Sequence, residues 1–278
     1  MNATDWKLGL STCATNSLEK EVFEAYAENG IRIMEISLPT AMYDSIRWKS
    51  IAGYAKETDV EIRSIHLPYY PFETLDLSSP DAAVRKAALE MQTDLLARAS
   101  EIGTRIAVIH PSGEPYLETE RSERLKCAQD ALASLAEKAS AYGTTIAVEN
   151  LPRTCLGNCI ADMKYLIAGN EALRICFDTN HLLTENNADF VRALGHLFVN
   201  MHVSDYDFVD EKHWMPYEGK NDWVELVTLL EQVGYDGPFL YEVPRTKPRA
   251  LDRRELTFAD YKPNYEACIH KRPAPKLL

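Results

Sequence analysis

Residues 120–149 read ERSERLKCAQDALASLAEKASAYGTTIAVE, and this stretch decides the fold. Leu125, Ala128, Leu132, Leu135 and Ala139 recur three or four positions apart, the spacing that gathers apolar side chains on one face of an α-helix. Gly143 follows, a residue that tolerates the left-handed backbone in which helices commonly end. The run Thr145–Glu149 comes next and is apolar on both faces, as a parallel strand covered by helices should be. The unit closes on a carboxylate, Glu149, where the apolar run stops.

The same unit recurs on either side. Strand-like runs occur at Lys7–Ser11, Ile31–Ser37, Val60–His66, Arg105–His110, Arg174–Asp178, Phe198–Val203 and Pro238–Val243, which with Thr145–Glu149 makes eight. Helical patterns lie between them, as at Leu18–Glu28, Ala82–Ile102, Glu120–Tyr142, Ala161–Ile167 and Trp223–Val233. Gly30, Gly103 and Gly234 stand before strands as Gly143 does, and Ser79-Pro80-Asp81 and Asn221-Asp222 read as helix starts. Strict alternation over about 250 residues predicts an α/β fold, a single-domain (β/α)8 TIM barrel covering residues 1–278. A doubly wound open sheet is the alternative. The glycine fingerprint expected there after the first strand is missing, since the chain reads Gly9-Leu-Ser-Thr-Cys. The stretch from Lys262, rich in Pro and Lys/Arg, reads as a surface wrap or a subunit contact, which leaves room for a homo-oligomer.

Composition narrows the function. Of 278 residues, 46% are hydrophobic and 26% charged, an ordinary globular balance. Lys and Arg number 30 against 42 Asp and Glu, a net charge of −12, which speaks against nucleic acid as a partner. No run of about 18 apolar residues is present, so no membrane span is expected. The first residues, MNATDWKLGLSTCAT, lack a basic region followed by an apolar stretch, so no secretory signal is expected. The six cysteines read as free thiols. A cytoplasmic location is the expectation.

In a (β/α)8 barrel the carboxyl ends of the strands carry the chemistry. Here six consecutive strand-like runs end in His, Asp or Glu: His66, His110, Glu149, Asp178 with His181 after it, His202, and Glu242. Singly, each reads as a hydrogen-bonded structural residue or a helix cap. Together they converge on one mouth, where Glu149, Asp178 and Glu242 repel one another and desolvation costs several kcal/mol per uncompensated charge. One divalent cation relieves that repulsion. The oxygen and nitrogen donors of Glu149, Asp178, His202 and Glu242 suit Mn²⁺, Zn²⁺, Co²⁺ or Mg²⁺ without choosing among them. Arg153 and Arg245 follow prolines and are expected to point outward, although Arg245, with Lys247, Arg249, Arg253 and Arg254, also follows strand eight, where barrels often bind phosphate. That basic run reads either as a substrate anion site or as a solvated loop. Glu35, near the end of strand two, is read either as touching substrate or as paired with a neighbour.

Five motifs carry a family resemblance: Ser64-Ile-His-Leu-Pro, Val148-Glu-Asn-Leu-Pro, Cys176-Phe-Asp-Thr-Asn-His, Asn200-Met-His-Val-Ser-Asp and Leu240-Tyr-Glu-Val-Pro. In this order, with Glu-to-Asp, Asp-to-His and His-to-Glu separations of 29, 24 and 40 residues, the chain resembles the xylose isomerase-like (β/α)8 superfamily of sugar and sugar-phosphate isomerases and epimerases, which also includes endonuclease IV-type apurinic endonucleases. The resemblance implies a small carbohydrate substrate and a single metal ion held by Glu149, Asp178, His202 and Glu242. It implies that Glu149 and Glu242 also act as the catalytic pair, one removing a proton beside a carbonyl and the other returning one to the enediolate. It further places His66 and His181 against substrate hydroxyls, with His110 and His213 at the same mouth. The stretch after Asp205, YDFVDEKHWMPYEGKNDW, resembles a substrate-covering loop. Its usual Pro-Gly-x-Gly reads Pro216-Tyr-Glu-Gly219 here, with Tyr217 in place of a glycine. Trp214 and Tyr217 read either as a sugar-stacking lid or as packing on the barrel rim.

Three other readings use the same residues. An endonuclease IV-like trinuclear zinc phosphodiesterase would take His66, His110 and Glu149 for one ion, the four-residue set for a second, and His181, His213 and Glu211 for a third. A dehydratase acting on a keto-polyol would share the metal and the proton abstraction. A sugar-binding relative without turnover would keep only the fold.

Overall fold

The computed structural model describes residues 2–277. Its sheet is built from eight strands: β1 (Leu8–Ser11), β2 (Ile33–Ile36), β3 (Glu61–His66), β4 (Ile106–Ile109), β5 (Thr145–Glu149), β6 (Leu173–Asp178), β7 (Phe198–His202) and β8 (Phe239–Tyr241). All pairings are parallel and follow chain order from β1 to β7, with β8 beside β1. A bridge between Val203 and Tyr241 joins β7 to β8, through Val203 N to Leu240 O at 2.8 Å and Glu242 N to Val203 O at 3.1 Å. That bridge closes the ring into the expected barrel.

Helices α1 (Lys20–Glu28), α3 (Ala82–Glu101), α4 (Arg121–Ser140), α5 (Ile160–Ile167) and α7 (Trp223–Gln232) lie within two residues of the sequence expectation. The caps explain the agreement. Asp81 accepts from Ala83 N at 2.8 Å and Asp222 from Glu225 N at 2.9 Å, and Gly30, Gly103, Gly143 and Gly234 all have positive φ. Helices α2 (Trp48–Thr58), α6 (Asn187–Leu194) and α8 (Tyr261–Ile269) complete the alternation. The last corrects the reading of residues from Lys262 onward as a tail. Pro263 falls in the first turn of α8, where a missing N–H is tolerated, and Tyr261, Asn264, Ala267, Cys268 and Ile269 are buried. No helix among the described residues is long and apolar enough to cross a membrane.

Alternate residues of a strand face the barrel interior. Ile106, Val108, Ala147 and Cys176 pack together there, and Glu35, Ser64 and Asn200 lie fully buried beside them. One step further along the strands, the same face carries Glu149, Asp178 and His202. The period of two therefore stacks an ionisable layer on an apolar and amide layer.

The long β7–α7 loop is folded around one carboxylate. Asp205 accepts from the backbone N–H groups of Tyr206 (2.9 Å), Tyr217 (3.0 Å) and Asn221 (3.1 Å) and from Trp223 Nε1 (2.9 Å). Gly219 passes so close that a Cβ there would fall 2.3 Å from Asp205 Oδ1. Tyr217 has φ +72°, so the loop keeps a left-handed residue where the resembled pattern has glycine. Replacing Asp205 with Ala strands four donors, and the expected loss of stability is about 3 kcal/mol, read from urea denaturation. An unchanged midpoint would refute this account of the loop.

Candidate active site

At the carboxyl end of the barrel, five of the chain's seven histidines meet five carboxylates, Glu35, Glu149, Asp178, Glu211 and Glu242. Glu149 is the hub. Its Oε2 lies 3.0 Å from His66 Nε2 and 3.2 Å from His110 Nε2, and its Oε1 lies 2.9 Å from His202 Nδ1. Glu149, Asp178, His202 and Glu242 each present a donor atom within 4.8 Å of the others'. His66, Glu149 and His202 form a second such group, and His181, Glu211 and His213 a third.

The motif residues between these donors hold them in place. Asn150 spans β5 and β6 with both ends of its amide, donating to Asp178 O at 2.9 Å and accepting from Asp178 N at 2.8 Å. Thr179 Oγ1 ties β6 to β7 through Ser204 O at 2.6 Å. Asn180 Oδ1 accepts from the backbone N–H groups of Lys212 (2.9 Å) and His213 (3.2 Å), which brings the covering loop to the site. Beneath the donors, Glu35 Oε1 lies 2.9 Å from His202 Nε2, while Glu35 Oε2 accepts from Ser64 Oγ at 2.7 Å and Asn200 Nδ2 at 3.0 Å. Glu35 is fully buried and is thus the partner of a histidine, the second of the two sequence readings.

Environment separates the carboxyls. Burial alone would raise Glu149, but the imidazoles of His202 and His110 hold it well below the usual carboxylate range. Burial pushes Asp178 up to about 6 and raises Glu242 as well, helped by the charges of Glu149 and Asp178. Burial opposes charge on His181, yet Asp178, Glu211 and Glu149 push it up to about 10. Asp178 Oδ2 is buried with no hydrogen-bond partner among the described residues, although it faces His202 Nδ1 at 3.8 Å.

A cavity of about 160 Å³ opens over this cluster, lined by His66, His110, His181, His213, Glu149 and Glu242 among others. Two candidate residues fall elsewhere. Arg245 Nε donates to Leu256 O at 3.0 Å and its guanidinium covers the Phe258 ring at 4.6 Å, so it does not line the cavity. Trp214 is buried in the covering loop, its backbone paired with Asp205, and does not line the cavity either. Arg153, expected to point outward, lines the cavity instead. Its backbone is left-handed, at φ +51°, and this turns the side chain into a clasp with Glu114, Asp210 (3.0 Å) and Glu211 (2.9 Å). Glu211 Oε2 in turn lies 3.3 Å from His181 Nε2. Sequence reasoning missed Tyr69, which stacks on His110 with ring centroids 3.9 Å apart. Its place directly after the His66-Leu-Pro turn was the available signal.

The fold and this donor set define a (β/α)8 barrel with a buried carboxylate–imidazole centre at its mouth. The chain belongs to the xylose isomerase-like TIM barrel family, whose profile matches residues 23–260. It is 29% identical over 249 residues to the uncharacterized protein MJ1311 of Methanocaldococcus jannaschii, covering 84% of this chain and 82% of that one. It is 24% identical over 234 residues to D-psicose 3-epimerase of Ruminiclostridium cellulolyticum, covering 80% and 77%. A solved D-tagatose 3-epimerase-like protein superimposes with a TM-score of 0.80 at 24% identity, over 95% of this chain and 98% of that one.

The Arg153 clasp joins three rim loops. Half-exposed ion pairs contribute up to about 1 kcal/mol each, so Arg153→Met is expected to speed amide exchange in residues 207–213 roughly tenfold. Strand amides should exchange unchanged in the same hydrogen–deuterium measurement. Equal rates in the loop would show that the clasp holds nothing.

Proposed function

We propose that the protein is a divalent-metal-dependent sugar isomerase or epimerase that moves a proton at the carbon beside a carbonyl. The buried meeting of Glu149, Asp178, His202 and Glu242, with Asp178 Oδ2 left without a partner, carries this reading. Three carboxylates and one imidazole nitrogen fit one cation of the Mn²⁺, Zn²⁺, Co²⁺ or Mg²⁺ class. Bound there, the ion supplies Lewis-acid polarisation of a carbonyl and offsets the crowded negative charge. A curated relative that acts as a 3-epimerase supports the reaction class.

The chain's own groups then divide the work. Glu149, held ionised by its imidazoles, takes the proton, and Glu242, whose carboxyl is raised, returns one. Environments that push two carboxyls apart are the usual basis for such a division. His66, His110 and His181 line the cavity beside the substrate hydroxyls. Tyr69, Leu151 and Pro152 wall the cavity and limit water at the exchanging carbon. Glu149→Gln and Glu242→Gln are each expected to slow substrate α-proton exchange in deuterium oxide about 10³-fold, followed by NMR. Full exchange and turnover in both variants would remove the mechanism.

One observation favours a second reading, a trinuclear zinc phosphodiesterase: His181, Glu211 and His213 also gather at ligand spacing, and Glu149 is shared with His66 and His110. The net charge of −12 and the full occupation of Arg153 by carboxylates weigh against a nucleic-acid substrate. Elemental analysis separates the two. About one ion per chain agrees with the epimerase reading, whereas three zincs together with abasic-DNA cleavage would replace it. A measurement independent of turnover tests the ligand assignment. Glu35→Gln loses the carboxylate behind His202, and Mn²⁺ affinity by chelator competition is expected to fall about 10–100-fold.

A further inference from the structure

A second and larger cavity, about 460 Å³, lies beside the first, between the loops that follow β1, β2 and β3. The two share His66 and Tyr69 as a common wall. Tyr69 is pinned there by its stack on His110 and by its contact with the His66 ring at 5.4 Å. The second cavity therefore adjoins the one over the donor cluster.

Its lining carries no Lys, Arg, Asp or Glu. One side is aromatic: Tyr69 and Tyr70 stand on the rim with 38% and 61% of their surface exposed, an unusual placement for side chains that gain by burial. The same lining offers Asn16 and Ser37, whose side chains donate no hydrogen bond within the described residues. Aromatic rings together with an amide and a hydroxyl, without charge, suit a pyranose, which carries both C–H faces and hydroxyl edges. Four arginines near the barrel mouth are engaged elsewhere. Arg153 is clasped by three carboxylates, Arg253 by Glu218 at 2.9 Å, and Arg254 by Asp260 at 2.6 Å, while Arg245 turns to Leu256 and Phe258.

We infer that this cavity is a second sugar subsite, and that the substrate is an uncharged carbohydrate of two sugar units whose reacting unit, opened to its carbonyl form, occupies the catalytic cavity. The inference rests on the proposed isomerase or epimerase activity for its reacting half, and on the groove alone for its second half.

The test uses the Mn²⁺-loaded protein with D-fructose, D-fructose 6-phosphate and isomaltulose, the 6-O-glucoside of fructose. Solvent deuterium incorporation is expected to be about tenfold more efficient, as kcat/KM, for isomaltulose than for fructose. Tyr70→Ala combined with Asn16→Ala should abolish that advantage and leave fructose unchanged. A glucoside no better than fructose, an advantage that survives in the double variant, or a preference for the phosphate ester would overturn the inference. Turnover of none of the three would remove the proposed activity, and the groove is then judged by saturation-transfer NMR with isomaltulose. Transfer to the glucosyl ring that disappears in the double variant supports the subsite, and its absence from the native protein overturns it.

Discussion

Negative charge confined in a barrel mouth is the constraint on which the rest depends. Glu35, Glu149, Asp178 and Glu242 are brought within one small region, the first three almost wholly out of water. Isolated carboxylates there would cost several kcal/mol each. The protein answers with imidazoles: Glu149 touches three, and His202 is held between Glu149 above and Glu35 below. That arrangement leaves Asp178 Oδ2 without a partner.

The scaffold around these donors is made of short polar side chains that hydrogen-bond to backbone. Asn150, Thr179 and the side-chain carbonyl oxygen of Asn180 bond to neighbouring strands or to the covering loop. The motifs therefore combine two jobs, donor and brace, in consecutive residues. On the rim, Asp205 organises the covering loop from inside and Arg153 clasps three loops together from outside. Arg153, Phe208, His213 and Tyr217, all non-glycine residues with positive φ, lie on this rim. Left-handed backbone at such residues costs of order 1–3 kcal/mol each, and it is sustained here by the contacts that the turned side chains and amides make.

Much of this was legible in the chain. Glu149, Asp178, His202 and Glu242 could be picked out because each ends an apolar run, and parallel strands in a barrel bring their ends together whatever their separation in sequence. Helix starts at Asp81 and Asp222 and stops at glycine were legible for a local reason, since a cap acts within its own turn. Helix α8 was obscured by Pro263 and by tyrosines that look polar in sequence but pack inward. Arg153 and Arg245 both follow a proline, yet one faces the cavity and the other a carbonyl and a phenyl ring. Nothing in the two prolines distinguishes them.

The order of strands, the closure of the barrel and the donor set at its mouth were determined by sequence alone, because period, caps and strand ends are properties of neighbouring residues. The pairing of Glu35 with His202, the inward turn of Arg153, and the aromatic groove beside the cavity over the donor cluster were decided only by tertiary structure. Each brings together residues from different loops or strands, and in each the direction of a side chain depends on a backbone angle or a partner that no local pattern records.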